Sequence, residues 1–192
     1  MSLFLVTPPA VEPITLDEAK DQIRVTSDDE NGLIAGLIAA AREDAENYTH
    51  RALMTQTWDL KLDAFPCGDV DLPMPPLQSV TSVTYVDTAG VTQTLSTSVY
   101  AVEAPTGPKA APGRLTLKYQ QLWPQTQAIA NAVTVRFVAG YGTRPESVPA
   151  VMRLLMKKWI AEDWAKRETS VIGNIVTPLP RGDDRLWPYK TF

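Results

Sequence analysis

The chain has 192 residues, a formal net charge of −4, 16 prolines, one cysteine and one histidine. A lone cysteine excludes an intrachain disulfide, and one cysteine with one histidine excludes the usual zinc sites, which need several such ligands. No apolar run approaches the roughly 20 residues of a membrane span, and the first residues lack the pattern of a secretory signal. We therefore expect a non-membrane protein made in a reducing cytoplasm, with no metal or other cofactor.

The N-terminal region is predicted to begin irregularly and then to form a short helix. Residues 1–13 contain three prolines, so no regular element is expected there. Proline lacks the N–H group and biases the residue before it toward extended geometry. Thr15 and Glu18 then have the spacing of a capping box, in which each side chain bonds the other residue's N–H group. This signature predicts a helix over 15–24.

Two longer helices are predicted from apolar residues that recur every three or four positions. The first spans 28–51 and begins at Ser27–Glu30, whose acidic side chains suit the positive end of a helix dipole. The second spans 147–168 and has a broad apolar stripe with basic side chains on the other side. This stripe is wide enough to pack against the helix over 28–51.

Between these helices, residues 55–142 alternate between apolar and polar side chains, which is the period of half-buried strands. Five or six strands are predicted, including a hairpin that joins 79–86 to 91–95 through a short turn. A surface loop with three prolines is expected at 103–113. Gly140–Gly142 lacks the third glycine of a dinucleotide-binding loop and precedes a proline, so it predicts a turn that ends a strand.

The C-terminal segment 171–192 combines large apolar residues with three prolines. It is too apolar for a disordered tail and too often interrupted by proline for a helix, so we expect an extended tail that buries its side chains. The tail packs on its own domain or docks on a partner. The predicted fold class is α+β, with a helical bundle of 1–54 and 145–170 and an inserted β-rich subdomain of 55–144.

Charge is distributed unevenly along the chain. Residues 1–54 carry 4 basic and 10 acidic side chains, whereas 145–192 carry 8 basic and 6 acidic ones. Solvated helix faces would explain this, but the acidic surface of one subunit could also meet the basic surface of another, and such head-to-tail contacts close into rings. The candidate interface residues are therefore the apolar tail and charged helix positions. They are Ile175, Leu179, Leu186, Trp187, Tyr189, Phe192, Arg153, Lys157, Asp28 and Asp29.

The sequence offers little for catalysis. Phosphate-binding loops and the Gly-x-Ser-x-Gly motif are absent. The acidic groups Asp17–Glu18 and Asp28–Glu30 lie in predicted first helical turns, where the helix dipole already favours them over acid–base or metal roles. The basic residues of the helix over 147–168 are diluted by acidic ones, so specific nucleic-acid binding is not expected.

A series of short segments carries a family resemblance. In chain order they are ITLDEAK at 14–20, IRV at 23–25, DDE at 28–30, LIAAARE at 37–43, THRAL at 49–53, TQTW at 55–58, LP at 72–73, PPLQSV at 75–80, VTYVD at 83–87 and VRFVAGYG at 135–142. The series resembles the head–tail connector family of tailed bacteriophages that includes the lambdoid adaptors, in its long form with a β insertion. The resemblance covers about 14–168. His50 departs from it, because we expect glycine or another small residue there.

The resemblance implies a structural virion protein without catalysis or a cofactor. Such a connector forms a ring of about twelve identical subunits that docks under the portal and continues the DNA channel. DNA passes through the ring without specific binding, and the far side receives the next connector or the tail. In such families the C-terminal segment tends to reach the portal. The alternatives are a module that binds a ligand through the β insertion and, least favoured, a carboxylate-based hydrolase built on Asp28–Glu30.

Overall fold

The computed structural model describes residues 1–166 and 185–191. It contains three α-helices, α1 (Leu16–Ile23), α2 (Asn31–Thr49) and α3 (Ala150–Ala165). With the two antiparallel sheets described below, they confirm the α+β class. Among these residues, no helix has the length and apolar character needed to cross a membrane.

The predicted capping box at the start of α1 is present. The Thr15 hydroxyl accepts a hydrogen bond from the Glu18 N–H, and the Glu18 carboxylate accepts one from the Thr15 N–H, both at 3.2 Å. The predicted start of α2 is wrong by three residues. Its N-cap is Glu30, which makes no side-chain capping bond, because Asp28 instead binds Lys20 at 2.7 Å and the Asn31 amide at 3.1 Å.

The start of α3 also lies later than expected. Pro145–Ser147 form a turn of 3-10 helix, and α3 begins at Ala150, directly after Pro149. A proline before a helix cannot supply a backbone N–H, so the two prolines separate the short turn from the helix proper. The predicted span of 147–168 therefore joined two elements into one.

The described residues form eight strands. They are β1 (Ser2–Thr7), β2 (Gln56–Leu62), β3 (Val70–Leu72), β4 (Leu77–Val86), β5 (Thr92–Thr94), β6 (Tyr100–Glu103), β7 (Gly113–Leu117) and β8 (Val133–Ala139). A five-stranded sheet has the order β1-β2-β8-β4-β5, and a three-stranded sheet has the order β3-β7-β6. The predicted hairpin is β4–β5. Seven strands follow Thr55 rather than five or six.

The N-terminal prediction is wrong. Residues before Pro8 form β1, which pairs antiparallel with β2 from Ser2 opposite Lys61 to Thr7 opposite Thr57. The three prolines that argued against a regular element all lie after this strand. The six residues of β1 include four consecutive large apolar side chains, a composition typical of a strand. The N-terminus of the chain thus belongs to the β part of the fold.

Two hydrophobic cores meet at the junction of the helices and sheets. The helical core is formed by α1, α2 and α3 and includes the fully buried Leu186 from the C-terminal segment. The β core lies between the two sheets, with Phe137 and Leu115 among its fully buried residues. Gly140, which follows β8, joins the two: it has a φ of +126°, and a Cβ there would lie 2.2 Å from the Met54 carbonyl oxygen. Glycine is required at this turn.

Candidate interaction surfaces

The basic face of α3 is used inside the chain. Arg153 donates to both carboxylate oxygens of Glu18, at 2.6 and 2.7 Å, and Lys157 donates to the same group at 2.9 Å. Partial burial raises the pKa of Glu18, but the bonds from Lys157, the Thr15 N–H and Arg153 outweigh it and hold the pKa at about 2. These bonds join α3 to α1 within the chain, and a contact of Arg153 and Lys157 with a partner stays a proposal.

The acidic pair at the start of α2 lies on the surface. Asp28 is bound to Lys20 and Asn31, and these bonds lower the pKa of its carboxyl. Asp29 accepts a hydrogen bond from the Ser27 hydroxyl at 2.6 Å. Both side chains are exposed and belong to a local network between α1 and α2. Asp28 and Asp29 stay proposed contact residues, with their nearest partners in the same chain.

A buried charge network ties α2 to the β part. Arg42 bonds Glu46 and Glu12, both at 2.9 Å. Burial raises the pKa of the Glu46 carboxyl, opposed by hydrogen bonds from the Leu53 N–H, Arg42 and Gln56. Gln56 is the first residue of β2, so this network fixes the sheet to the helix. The sequence signal was only an Arg–Glu pair at i,i+4 spacing, which is also typical of an exposed helix face.

The last described residues pack on the helical core. Leu186 is fully buried there, which corrects its assignment to a partner interface. Arg51, itself buried, donates to the carbonyl oxygens of Tyr189 and Ala110. Instead of extended backbone, a 3-10 turn forms at Trp187–Tyr189, and the Trp187 side chain stays 58% exposed.

Three tail residues of the predicted interface, Ile175, Leu179 and Phe192, lie outside the described residues. The two alternatives for the tail are thus resolved for Leu186 alone, which belongs to the core of its own chain. Trp187 and the partly buried Tyr189 border that contact and stay proposed partner residues.

Strand β1 carries the first of two exposed apolar features that the sequence reasoning missed. Phe4, Leu5 and Val6 are between 41% and 48% exposed, and the Lys61 ammonium lies 5.0 Å from the Phe4 ring centroid. Among the described residues, β1 pairs on one side only, with β2. An edge strand with exposed apolar side chains is a ready site for pairing with another chain. The four consecutive apolar residues at 3–6 were the feature of the sequence that could have predicted this strand.

The second feature is the loop between β7 and β8. At its tip, Tyr119 is 88% exposed and Leu122 is 83% exposed. The next residue, Trp123, fixes the loop: its ring stacks on Phe65 at 4.8 Å, and its indole N–H donates to the Gly68 carbonyl. A long loop held in place while presenting large apolar side chains is typical of a contact site. The run from Tyr119 to Val135 contains no charged residue, which was its signal in the sequence.

An open groove of about 680 Å³ lies between the β6–β7 loop and the start of α3. Prolines line it from both sides, including Pro105, Pro108 and Pro149, and Glu146 carries the only carboxylate among the described residues that line it. The Tyr141 hydroxyl donates to the Pro108 carbonyl at 2.6 Å and closes one wall. Its residues suit the shape recognition of a peptide rather than proton transfer.

The residues proposed for hydrolysis do not converge. Asp28 and Asp29 bind neighbours on α1 and in their own turn, as described above. Across 1–166 and 185–191, no three His, Cys, Asp or Glu side chains come together as they would around a metal ion. His50 is the C-cap of α2 with a φ of +54°, a conformation that favours glycine. This explains why a small residue is expected at position 50, where the chain has histidine.

Comparison with known proteins agrees with this arrangement. Residues 13–99 match the model of the phage gp6-like head–tail connector family. A chain in the virion of a native gene transfer agent (GTA) particle superposes with a TM-score of 0.80 at 22% identity, covering 100% of this chain and 96% of the other. A chain in the neck of an empty GTA particle, computed with C6 symmetry, gives 0.81 at 22% identity with the same coverage.

A chain in the neck of a native GTA particle, computed with C12 symmetry, gives a TM-score of 0.73 at 21% identity and also covers 100% of this chain and 96% of the other. A comparison with curated protein sequences finds no match. The structural similarities extend the shared fold over α3 and the second half of the β part, beyond the 13–99 match. Residues 13–99 are thus similar in sequence to the phage gp6-like head–tail connector family, and the full length of the chain shares its fold with these GTA chains.

Proposed function

We propose that the chain is a structural head–tail connector of a tailed phage or phage-like particle. In this role it forms a ring in the neck, between the portal and the tail side. The observation that carries the proposal is the family match over 13–99 together with a full-length fold shared with GTA neck proteins. A ring of twelve copies is supported by the neighbour from a neck computed with C12 symmetry.

The architecture suits a load-bearing ring. Buried polar contacts fix the helical part to the β part through Arg42 and Arg51, so a copy can transmit force as one body. Large apolar side chains stay exposed on β1 and on the β7–β8 loop, where a monomer would not need them. A non-assembling protein of this size rarely keeps several such features.

Two partners follow from a position in the neck. The portal is proposed to bind the helical part at Trp187, because exposed aromatic residues are typical anchors of interfaces. The next connector or a tail protein is proposed to bind the opposite side of the ring. DNA passes through the channel without specific contacts, consistent with a net charge of −4 that opposes phosphate binding.

The test is to mix the purified chain with its portal and to examine the mixture by sedimentation and negative-stain microscopy. We expect a ring stacked on the portal, with the chain alone and the portal alone as controls. A chain that stays monomeric and never sediments with the portal would overturn the proposal.

A further inference from the structure

We propose that neighbouring copies in the ring join through the two free edges of the five-stranded sheet, with β1 of one copy pairing with β5 of the next. The inference rests on the proposed ring and adds the contact that builds it. The binding partner at each of these edges is a second copy of this chain. The experiment below separates a failure of this contact from a failure of the ring.

The β1 edge lacks the usual protection against pairing. Native edge strands are blunted by charged side chains, prolines or a covering segment. Ser2–Thr7 contains neither a charged residue nor a proline, and Phe4, Leu5 and Val6 are exposed. Within the described part of the chain, no strand pairs with its outer side. Such an edge is an aggregation site in a monomer and an interface in an assembly.

The other edges differ in charge. The three-stranded sheet ends in β3, which carries the exposed Asp71, and in β6, which carries the exposed Glu103. The five-stranded sheet ends in β1 and β5, and β5 is Thr92-Gln93-Thr94, fully exposed and uncharged. Val91, directly before β5, is 52% exposed. The two uncharged edges therefore belong to the same sheet and complement each other, since neither brings an unpaired charge into a shared ladder.

The position of these edges fits a ring. β1 and β5 occupy opposite ends of the order β1-β2-β8-β4-β5, so each copy offers one edge of each kind in roughly opposite directions. Pairing of two different edges is a head-to-tail contact, which closes into a ring when the rotation per copy allows it. Pairing of β1 with β1 would instead give a two-fold dimer and stop there.

The contact combines backbone and side-chain interactions. β5 has three residues, so the shared ladder is short and supplies few hydrogen bonds. Phe4 and Leu5 lie on opposite faces of β1, and the one on the same face as Val91 of the next copy would add apolar burial against it. Longer added strands gain most of their affinity from main-chain hydrogen bonds, but three residues offer few of these bonds. The ladder gives the direction of the contact, and the apolar residues give most of its strength.

The direct test is cysteine cross-linking in assembled rings. The exposed Cys67 is first replaced by serine, so that it cannot form unwanted disulfides. Gln93→Cys, at the middle of β5, is then combined in turn with Phe4→Cys, Leu5→Cys and Val6→Cys, to cover the possible registers. On oxidation, at least one pair should give a ladder of covalent dimers, trimers and larger species. Each single-cysteine variant should give only monomer.

Other cross-linking results would contradict the pairing of β1 with β5. Covalent dimers from Leu5→Cys alone would mean β1–β1 pairing and would overturn the proposal. Intact rings without cross-links in any pair would overturn it too, while leaving the ring itself in place. Pairing Leu5→Cys with Glu103→Cys, on the charged β6 edge, is the matched control and should give monomer. If this control forms cross-links and the pairs with Gln93→Cys do not, then β1 contacts the β6 edge of the next copy, and the proposal is overturned.

A second measurement uses charge. Leu5→Lys places an ammonium group on the β1 edge, and Val102→Lys places one on β6 at nearly equal side-chain exposure. We expect Leu5→Lys to abolish ring formation while its thermal unfolding stays close to wild type, and Val102→Lys to leave the ring intact. Rings that form normally with Leu5→Lys and break with Val102→Lys would contradict the proposal.

Discussion

In the helical part of the chain, Arg42, Arg153 and Lys157 are each held by carboxylates of the same molecule, whereas in the β part Phe4 and Tyr119 are exposed to solvent. From the sequence, contacts between subunits were one of two explanations of the charge gradient. The β insertion was given a surface only in the alternative of a ligand-binding module. The charged side chains of the helical part therefore stabilise the fold of the single chain. Surfaces that can bind partners are better sought at uncharged strand edges and in loops.

The largest effect is expected from the buried network of α2. Arg42→Ala leaves Glu46 buried without its cation, and removing one partner of a buried pair costs about 3–5 kcal/mol. Urea unfolding at neutral pH measures this loss. Arg114→Ala is the control, because the Arg114–Asp71 pair is exposed and solvent screens its attraction. Equal losses for the two variants would show that burial of the α2 pair does not matter.

The C-terminal contact gives the next effect. Leu186→Ala should lower the free energy of unfolding by about 2–4 kcal/mol, because a fully buried leucine loses its packing and leaves a cavity. Trp187→Ala, one position away and largely exposed, should cost clearly less. Thermal unfolding compares the two. If Leu186→Ala unfolds like wild type, the segment over 185–191 is not part of the helical core.

A smaller effect is expected at the link between α1 and α3. Glu18 has a pKa of about 2 in the fold, below its ordinary value of 4.5. Its pairing therefore stabilises the fold fully above pH 4.5, and that contribution is lost as the pH falls toward 2. We expect about 1–2 kcal/mol, because solvent screens a partly exposed group.

The variant Glu18→Gln tests this pH dependence. It should be less stable at neutral pH and should lose less further stability than wild type between pH 4.5 and 2. Some dependence persists in the variant, because the pKa of Asp59 is also lowered, mainly by its hydrogen bonds to Arg136. If the free energy of unfolding depends on pH identically in the variant and the wild type, then Glu18 does not contribute to the pH dependence of stability.

The smallest effect on folding is expected at the β7–β8 loop. Tyr119→Ser and Leu122→Ser should each change the free energy of unfolding by less than about 0.5 kcal/mol, because both side chains are largely exposed. Trp123→Ser should cost more, since its ring stacks on Phe65. If Tyr119→Ser destabilises the fold as much as Trp123→Ser, then the loop tip packs within the chain and is not open for a partner.

Local signals predicted the helices and most of the strands. The capping box at Thr15 and the alternation along β2 and β8 act within a few residues, so the sequence alone was enough. The pairing of β1 with β2 joins residues that are fifty or more positions apart, and no local pattern specifies it. The same holds for the Glu18–Arg153 bond, where an acid already explained as a cap also binds α3.

The candidate surfaces were harder to predict for a related reason. Arg153 and Leu186 were expected to face a partner because side-chain type alone does not distinguish an internal contact from an external one. The exposure of a side chain depends on which elements pack together, and those elements are often far apart in the sequence. Tyr119 shows the converse, since an aromatic residue in a loop is as often buried as exposed, and here Trp123 fixes the loop so that Tyr119 points outward.

The most direct test of the central claim is the salt dependence of the assembled ring. Sedimentation of the ring with its portal is compared at about 0.1 M and about 1 M NaCl, between which the Debye length falls from about 10 Å to about 3 Å. Contacts between uncharged edges predict a ring that persists, or becomes more stable, at high salt. A ring that dissociates at high salt and re-forms at low salt would show that acidic and basic surfaces hold the copies together, and would contradict the account.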